Sequence, residues 1–244
     1  MRGTPFPLGV AVGLPALAGA APSSADLASL SQAAPPLQML LLLVGMSLLP
    51  FAVVLLTSFG KMAVVLSLTR SALGTQQAPP TLVLTGLAVV LTFHVMAPVG
   101  ARMSEALEAG WVEGGDLQDA LHLIPRVLEP LRLFLLRHGS ENSRLHFQEL
   151  AHELRGGEGP LPDAEALSIV VPAFVVTELG EAFQLGFLIF LPFLVLDMVV
   201  ANILLALGMQ TLSPSQVSLP FKLLLFVAVD GWELLARGLV LGYR

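Results

Sequence analysis

The sequence predicts an all-α membrane-complex protein made of broken helical hairpins, with about four hydrophobic helical segments and a small helical segment outside them. Three observations lead there. Hydrophobic residues make up 55% of the 244 and charged residues 12%, against roughly 45–50% and about 25% in ordinary soluble domains. Several apolar runs reach the roughly 20 residues that a helix needs to cross a bilayer. The longest of them, within residues 165–222, carries Glu178, Glu181 and Asp197 and is punctuated by Pro172, Pro192, Pro214 and Pro220. A carboxylate in hydrocarbon costs several kcal/mol (order of magnitude) unless it meets protein, a partner charge or water. A mere anchor would carry none of these residues.

Composition also removes some function classes. The chain has no cysteine, so disulfide frameworks, thiolate metal sites and cysteine nucleophiles are excluded. The net charge of −6 arises within residues 102–165, which hold six basic and twelve acidic residues, while the remainder is balanced. An acidic segment of this kind does not fit nucleic acid, whose phosphates select Lys and Arg.

Residues 1–20 form a possible signal peptide: Arg2, a moderately apolar run, then Ala18 and Ala20 in an A-x-A arrangement. Residues 21–36 are small, polar and proline-flanked, as in a linker. Residues 37–101 are expected to form the first hydrophobic hairpin. Its first arm, LQMLLLLVGMSLLPFAVVLLTSF, is of spanning length with a kink expected at Pro50. Its second begins after Pro79 and Pro80 and contains His94 as its one ionisable group. Lys61 and Arg70 lie between the arms, and the bias of cytoplasmic loops toward basic residues places them inside. The acidic segment 102–165 then falls outside, on the side of the leader.

Within that segment, apolar residues at 117, 121, 124, 128, 131 and 135 form a helical stripe. Pro125 and Pro130 divide it into two expected helices, about 116–123 and 129–138, followed by a third at 141–154. Residues 155–163 are a Gly- and Pro-rich loop. The second hydrophobic hairpin occupies 166–244, with spans near 182–209 and 219–241 and a polar turn at 209–214.

No catalytic constellation stands out. His146, Glu149, His152 and Glu153 lack the spacing that places two histidines and a base around a metal, and a solvated helix face accounts for them. No cofactor is implied. Glu178, Glu181 and Gln184 recur every three residues on one helix face. They fit either a polar seam along a pore or proton path, or hydrogen bonding that fixes an assembly. Asp197 calls for a basic partner, and Lys222 across the hairpin is the nearest in sequence. Asp230, Glu233 and Arg237 fit a local ion-paired helix face, with Glu233 and Arg237 in the favourable order. Met209 at the hairpin tip either fills space or closes a pore with its flexible thioether.

Four motifs carry a family resemblance. They are TSFGKMAVVLSLTRSALGTQQAPP at 57–80, VPAFVVTELGEAFQLGF at 171–187, LPFLVLDMVVANILLALGM at 191–209 and LPFKLLLFVAVDGWELL at 219–235. Over about residues 38–243 the chain resembles the FliP/SctR export-gate subunits of flagellar and virulence type III secretion systems. VANILLALGM, the Ser-Pro that follows and the ending GLVLGYR lie closer to the virulence-type branch.

The resemblance implies a multi-pass protein of the bacterial inner membrane with a periplasm-facing portion, namely the acidic segment. It implies a homo-pentamer joined by sister subunits of the FliQ/SctS and FliR/SctT types, forming the channel for unfolded exported proteins. Membrane lipid is a further expected contact. A methionine row at the hairpin tip seals the pore in the family; here Met209 is followed by Gln210, Thr211 and Leu212, so Met209 and Leu212 are the expected gasket. Glu178, Glu181, Gln184, Asp197, Lys222 and Asp230 are the expected buried polar or inter-subunit residues. The competing reading is a proton-coupled secondary transporter using Glu178, Glu181 and Asp197, although no repeated halves support it.

Overall fold

The structure is a computed structural model that describes residues 35–75, 78–110, 117–157, 159–209 and 211–244. The possible leader and nearly all of the linker lie outside the described residues. All regular structure among the described residues is helical. The helices are α1 (Pro35–Leu56), α2 (Phe59–Ala72), α3 (Thr81–Gly110), α4 (Leu117–His138), α5 (Glu141–Leu154), α6 (Leu167–Ala206), α7 (Pro214–Ala228) and α8 (Gly231–Leu241).

The short helix α2 lies at the centre. It packs chiefly along α6 and also against α3, while α4 and α5 cover the N-terminal part of α6. Met62, Val65 and Leu66 of α2 join Leu84 and Ala88 of α3, Phe134 and Leu135 of α4, and Val170 and Phe174 of α6 in one core. The contact of α2 with α6 depends on Gly186, where a Cβ would lie 2.2 Å from Leu68 Cδ1. A larger residue there would require the Leu68 side chain to turn away and the helices to give by a few tenths of an ångström.

Proline positions do not give the breaks expected from sequence. The first apolar arm continues through Pro50 and ends at Leu56. Its change of direction, 64° between Leu43–Leu56 and Phe59–Ala72, falls at Thr57 and Ser58 instead. The Thr57 hydroxyl accepts the Phe59 N–H at 3.3 Å, a local bond that competes with the helical ladder.

Helix α4 likewise runs unbroken across Pro125 and Pro130, correcting the expected pair of short helices. Its buried line also departs from the stripe read from sequence: Leu123 is buried whereas Ile124 and Leu128 of the stripe are exposed, and Leu135 of the stripe is buried beside Phe134. α6 passes through Pro172 and Pro192 as a single helix of 40 residues, about 60 Å long. A proline costs one helical hydrogen bond and crowds the preceding turn, which small local adjustments of the backbone can absorb, so it need not end the helix.

The true corners are set by left-handed backbone. Gly208 (φ 71°) ends α6, with its N–H bonded to Leu205 O at 3.1 Å and the Met209 N–H to Leu204 O at 3.0 Å. This paired arrangement satisfies the last helical carbonyls and favours glycine at the left-handed position. Pro214 then opens α7 at its first turn. The expected fourth span is split by Asp230 (φ 49°), and at Gly231 a Cβ would strike the Phe226 ring at 2.3 Å.

Among the described residues two helices are long and apolar enough to cross a membrane, α3 and α6, or three if the bent α1–α2 pair counts as one. α7, the remaining apolar segment, is shorter than a span. Most of α6 nevertheless lacks cover: Phe183, Phe187, Leu188, Val195, Met198, Ile203 and Leu205 are all exposed. A chain with such a surface needs lipid or other subunits around it.

Candidate functional site

Two lysines hold together the acidic residues singled out within the longest apolar run. Lys61, in the first turn of α2, is 3% exposed and Glu178 on α6 is 4% exposed. Lys61 Nζ donates a hydrogen bond to Glu181 Oε2 at 2.6 Å and approaches Glu178 Oε1 at 2.9 Å. The second approach lacks hydrogen-bonding geometry, so it is an ion contact. The Tyr243 hydroxyl donates to the other Glu178 oxygen, Oε2. Lys61 Nζ also sits 4.4 Å from the centroid of the Tyr243 ring, within cation–π range.

The aromatic wall continues outward. Tyr243 stacks on Phe134 with centroids 6.0 Å apart and meets His138 edge-on at 5.0 Å. The penultimate residue of the sequence therefore ties the end of α8, α4 and α6 to the buried charge cluster. Burial, with Arg137 and Lys61 nearby, holds the His138 imidazole below its ordinary value of about 6.5. The unfolded chain then binds more protons than the folded one once pH falls below that value, so stability declines on acidification. We expect the thermal midpoint in detergent to fall between about pH 7.5 and pH 5 by more in the wild type than in His138→Gln; parallel profiles would contradict this.

The second cluster joins α6 to α7. Lys222 is 3% exposed and Ser218 fully buried. Lys222 Nζ donates to Asp197 Oδ2 at 2.6 Å and to the Ala72 carbonyl at 3.4 Å, while the Ser218 hydroxyl donates to Asp197 Oδ1. Asp197 thus has the partner expected across the hairpin. The bond to Ala72 adds a contact to the end of α2 that sequence spacing does not suggest.

Other candidate residues stand apart. Gln184 is exposed and lies outside the Lys61 cluster. Asp230 is exposed at the α7–α8 corner, where it supplies backbone conformation. Glu233 and Arg237 do not form the expected pair: among the described residues no ion pair joins them, and an isolated surface pair gains little over free side chains. Met209 and Leu212 are about half exposed at the α6–α7 tip.

Two residues escape a reading of the sequence. Lys61 looks like a loop charge that sets topology, yet it is buried with two carboxylates. Arg70, the other basic residue of that stretch, donates to the Thr81 hydroxyl at 2.9 Å. Tyr243 is a single aromatic near the end of the sequence, and nothing in local spacing ties it to Glu178. The transporter reading also loses its basis, because each of its three carboxylates is in contact with a lysine.

The model of the FliP family matches residues 42–239. The chain is 43% identical over 208 residues to Yop proteins translocation protein R of Yersinia pestis, covering 85% of this chain and 96% of that protein. It is 42% identical over 213 residues to hypersensitivity response secretion protein HrcR of Ralstonia nicotianae, covering 84% and 96%. It is 44% identical over 205 residues to flagellar biosynthetic protein FliP of Pectobacterium carotovorum, covering 83% and 76%.

Proposed function

The chain belongs to the FliP family, and on that premise we propose that it is a core subunit of a type III secretion export gate, forming a channel for unfolded proteins through the inner membrane. The observation that carries this reading is the uncovered apolar surface of α6 beside a set of internal charges paired within the subunit. A protein that moves a small solute by itself would bury its long helices against one another and keep a polar path between them. Here the polar groups lock helices within the subunit, and the apolar faces are left for neighbours.

In this reading copies of the chain form a pentamer, completed by sister subunits of the FliQ/SctS and FliR/SctT types. The segment 102–165 faces the periplasm, residues 37–101 and 166–244 form the two hydrophobic hairpins, and the turn at 209–214 lies on the pore axis. The motif likeness favours the virulence-type branch. Gln184 and Asp230, exposed on the subunit, are polar groups available to neighbours.

Met209 and Leu212 seal the resting pore in this proposal, their exposure at the tip leaving both side chains free to meet copies of themselves. Met209→Ala is expected to raise small-solute leak through the assembled gate, measured as conductance in planar bilayers. Unchanged conductance would remove Met209 from the seal. Deleting the chain from its host tests the function itself: type III export into the medium stops and is restored by the intact chain, and undiminished export would refute the proposal.

A further inference from the structure

The cleft between α3, α4 and the C-terminus, about 190 Å³ in volume, is basic. Arg102 of α3, Arg137 and His138 at the end of α4, and Tyr243 form its polar wall, with Val99 and Leu133 on the apolar side. No acidic residue is among the described residues lining it. Arg102, Leu133 and Arg137 are exposed, and among the described residues neither arginine makes an ion pair. The cleft therefore offers two cations beside an open apolar surface.

Helix α5 presents the complement. Its inner face packs on α6, where Thr177 bonds to the Ser143 hydroxyl at 3.2 Å. Its outer face carries Leu145, Glu149, Leu150, Glu153 and Leu154, all exposed. Glu149 and Glu153 stand one helical turn apart, a spacing at which like charges repel. Among the described residues no cation pairs with either. A partner with two cations would offset that repulsion and cover the leucines beside it.

The two surfaces do not meet within one subunit. Although only Gly139 and Ser140 separate α4 from α5, α5 packs along α6 and not along α4. Glu149 and Glu153 therefore lie about 12 and 18 Å along α5 from its start, and α5 does not line the cleft. Two different but matching surfaces on one chain give head-to-tail contacts, which close into a ring when the rotation allows.

We propose that this cleft receives the outer face of α5 from a second copy of the chain. Arg102 and Arg137 pair with Glu149 and Glu153, since planar guanidiniums suit carboxylates, and Leu150 and Leu154 cover Val99 and Leu133. Each copy gives α5 to one neighbour and its cleft to the other. The incoming helix also closes over Tyr243 and His138, the aromatic wall of the Lys61 cluster. The inference rests on the reading of this chain as a multi-copy assembly and names the surfaces that join the copies. It does not depend on which helices meet lipid.

A chain without cysteine allows a direct test. Leu133→Cys is combined in one chain with Leu150→Cys or with Leu154→Cys, co-expressed with the two sister subunits, and the purified complex is oxidised with copper phenanthroline. The expected result is a ladder of covalent dimers and larger species from at least one combined variant and only monomer from each single variant, because a head-to-tail contact does not bring the same residue of two copies together. Dimers from a single variant would overturn the proposal, as would the lack of a ladder from both combined variants in a complex that native mass spectrometry shows to hold several copies.

A second arm reads the charges. Arg102→Glu/Arg137→Glu should lower the yield of multi-copy complex about tenfold or more. Adding Glu149→Arg/Glu153→Arg to the same chain should restore it, a rescue that a misfolded variant would not show. Arg126→Glu, at an exposed arginine of α4 that does not line the cleft, should assemble as the wild type does. Undiminished assembly of the double glutamate variant, or an equal loss in Arg126→Glu, would overturn the proposal. A single copy per complex in the wild type would overturn the export-gate reading itself, whereas several copies without the ladder would overturn this contact alone.

Discussion

Lys61→Met is expected to remove the folded protein from detergent extracts and to abolish export. The substitution leaves Glu178, 4% exposed, without its cation, and stripping one partner from a buried ion pair costs about 3–5 kcal/mol. Glu181, whose side chain is 49% exposed, regains water and adds little. The companion variant Lys61→Met/Glu178→Gln removes both buried charges, and the Tyr243 hydroxyl can still donate to the amide oxygen that takes the place of the carboxylate. Replacing a whole buried pair with neutral groups is often close to neutral in stability, so this variant should recover most of the thermal midpoint. Fluorescence-monitored size exclusion after a heating series checks both. A single variant as stable as wild type would mean that the Lys61 cluster does not hold α2 to α6.

The second large effect is at Lys222. Lys222→Met orphans Asp197 and removes the donor to the Ala72 carbonyl, loosening α7 from both α6 and the end of α2. Asp197 is 28% exposed at its side chain, so water recovers part of the loss, and the cost should lie at or below the lower end of about 3–5 kcal/mol. Because the pair lies in the same hairpin as Met209, its loss should also displace the tip and impair export in any chain that survives. Asp197→Asn/Lys222→Met keeps a hydrogen-bond partner for Ser218 and should restore stability relative to the single variant. No difference between single and double variants would show that the two side chains are not coupled.

The helical class is legible from composition and apolar length, because those properties do not depend on which helices meet. The Asp197–Lys222 bond is legible as well: a short turn fixes the approach of the two arms, so sequence distance stands in for spatial distance. The Lys61 cluster is not. Lys61 reaches Glu181 across 120 residues, and Tyr243 reaches Glu178 across 65. Local periodicity carries no information about such pairings. It does align Glu178, Glu181 and Gln184 on one face, but whether a residue on that face is buried depends on where α2 crosses it, and Gln184 lies exposed.

Helix breaks are misjudged for a different reason. Proline suggests a kink at 50 and interruptions at 125, 130, 172 and 192, yet each of these residues lies inside a helix. The breaks that do occur follow residues that actively offer another backbone geometry: the Thr57 hydroxyl, the left-handed Gly208 and the left-handed Asp230. A proline removes one ladder N–H, whereas a corner strands several backbone groups at once, so corners appear where the chain can satisfy itself.

The exposed apolar faces are the basis for reading this chain as one part of a larger body. The most direct test is a density map of the protein purified in mild detergent after co-expression with its two sister subunits. The account predicts a ring of several copies of this chain with both sisters built in, the exposed face of α6 covered by neighbours and the 209–214 turn at the central axis. A stable monomer or dimer, with α6 facing only detergent and the tip away from any axis, would contradict it.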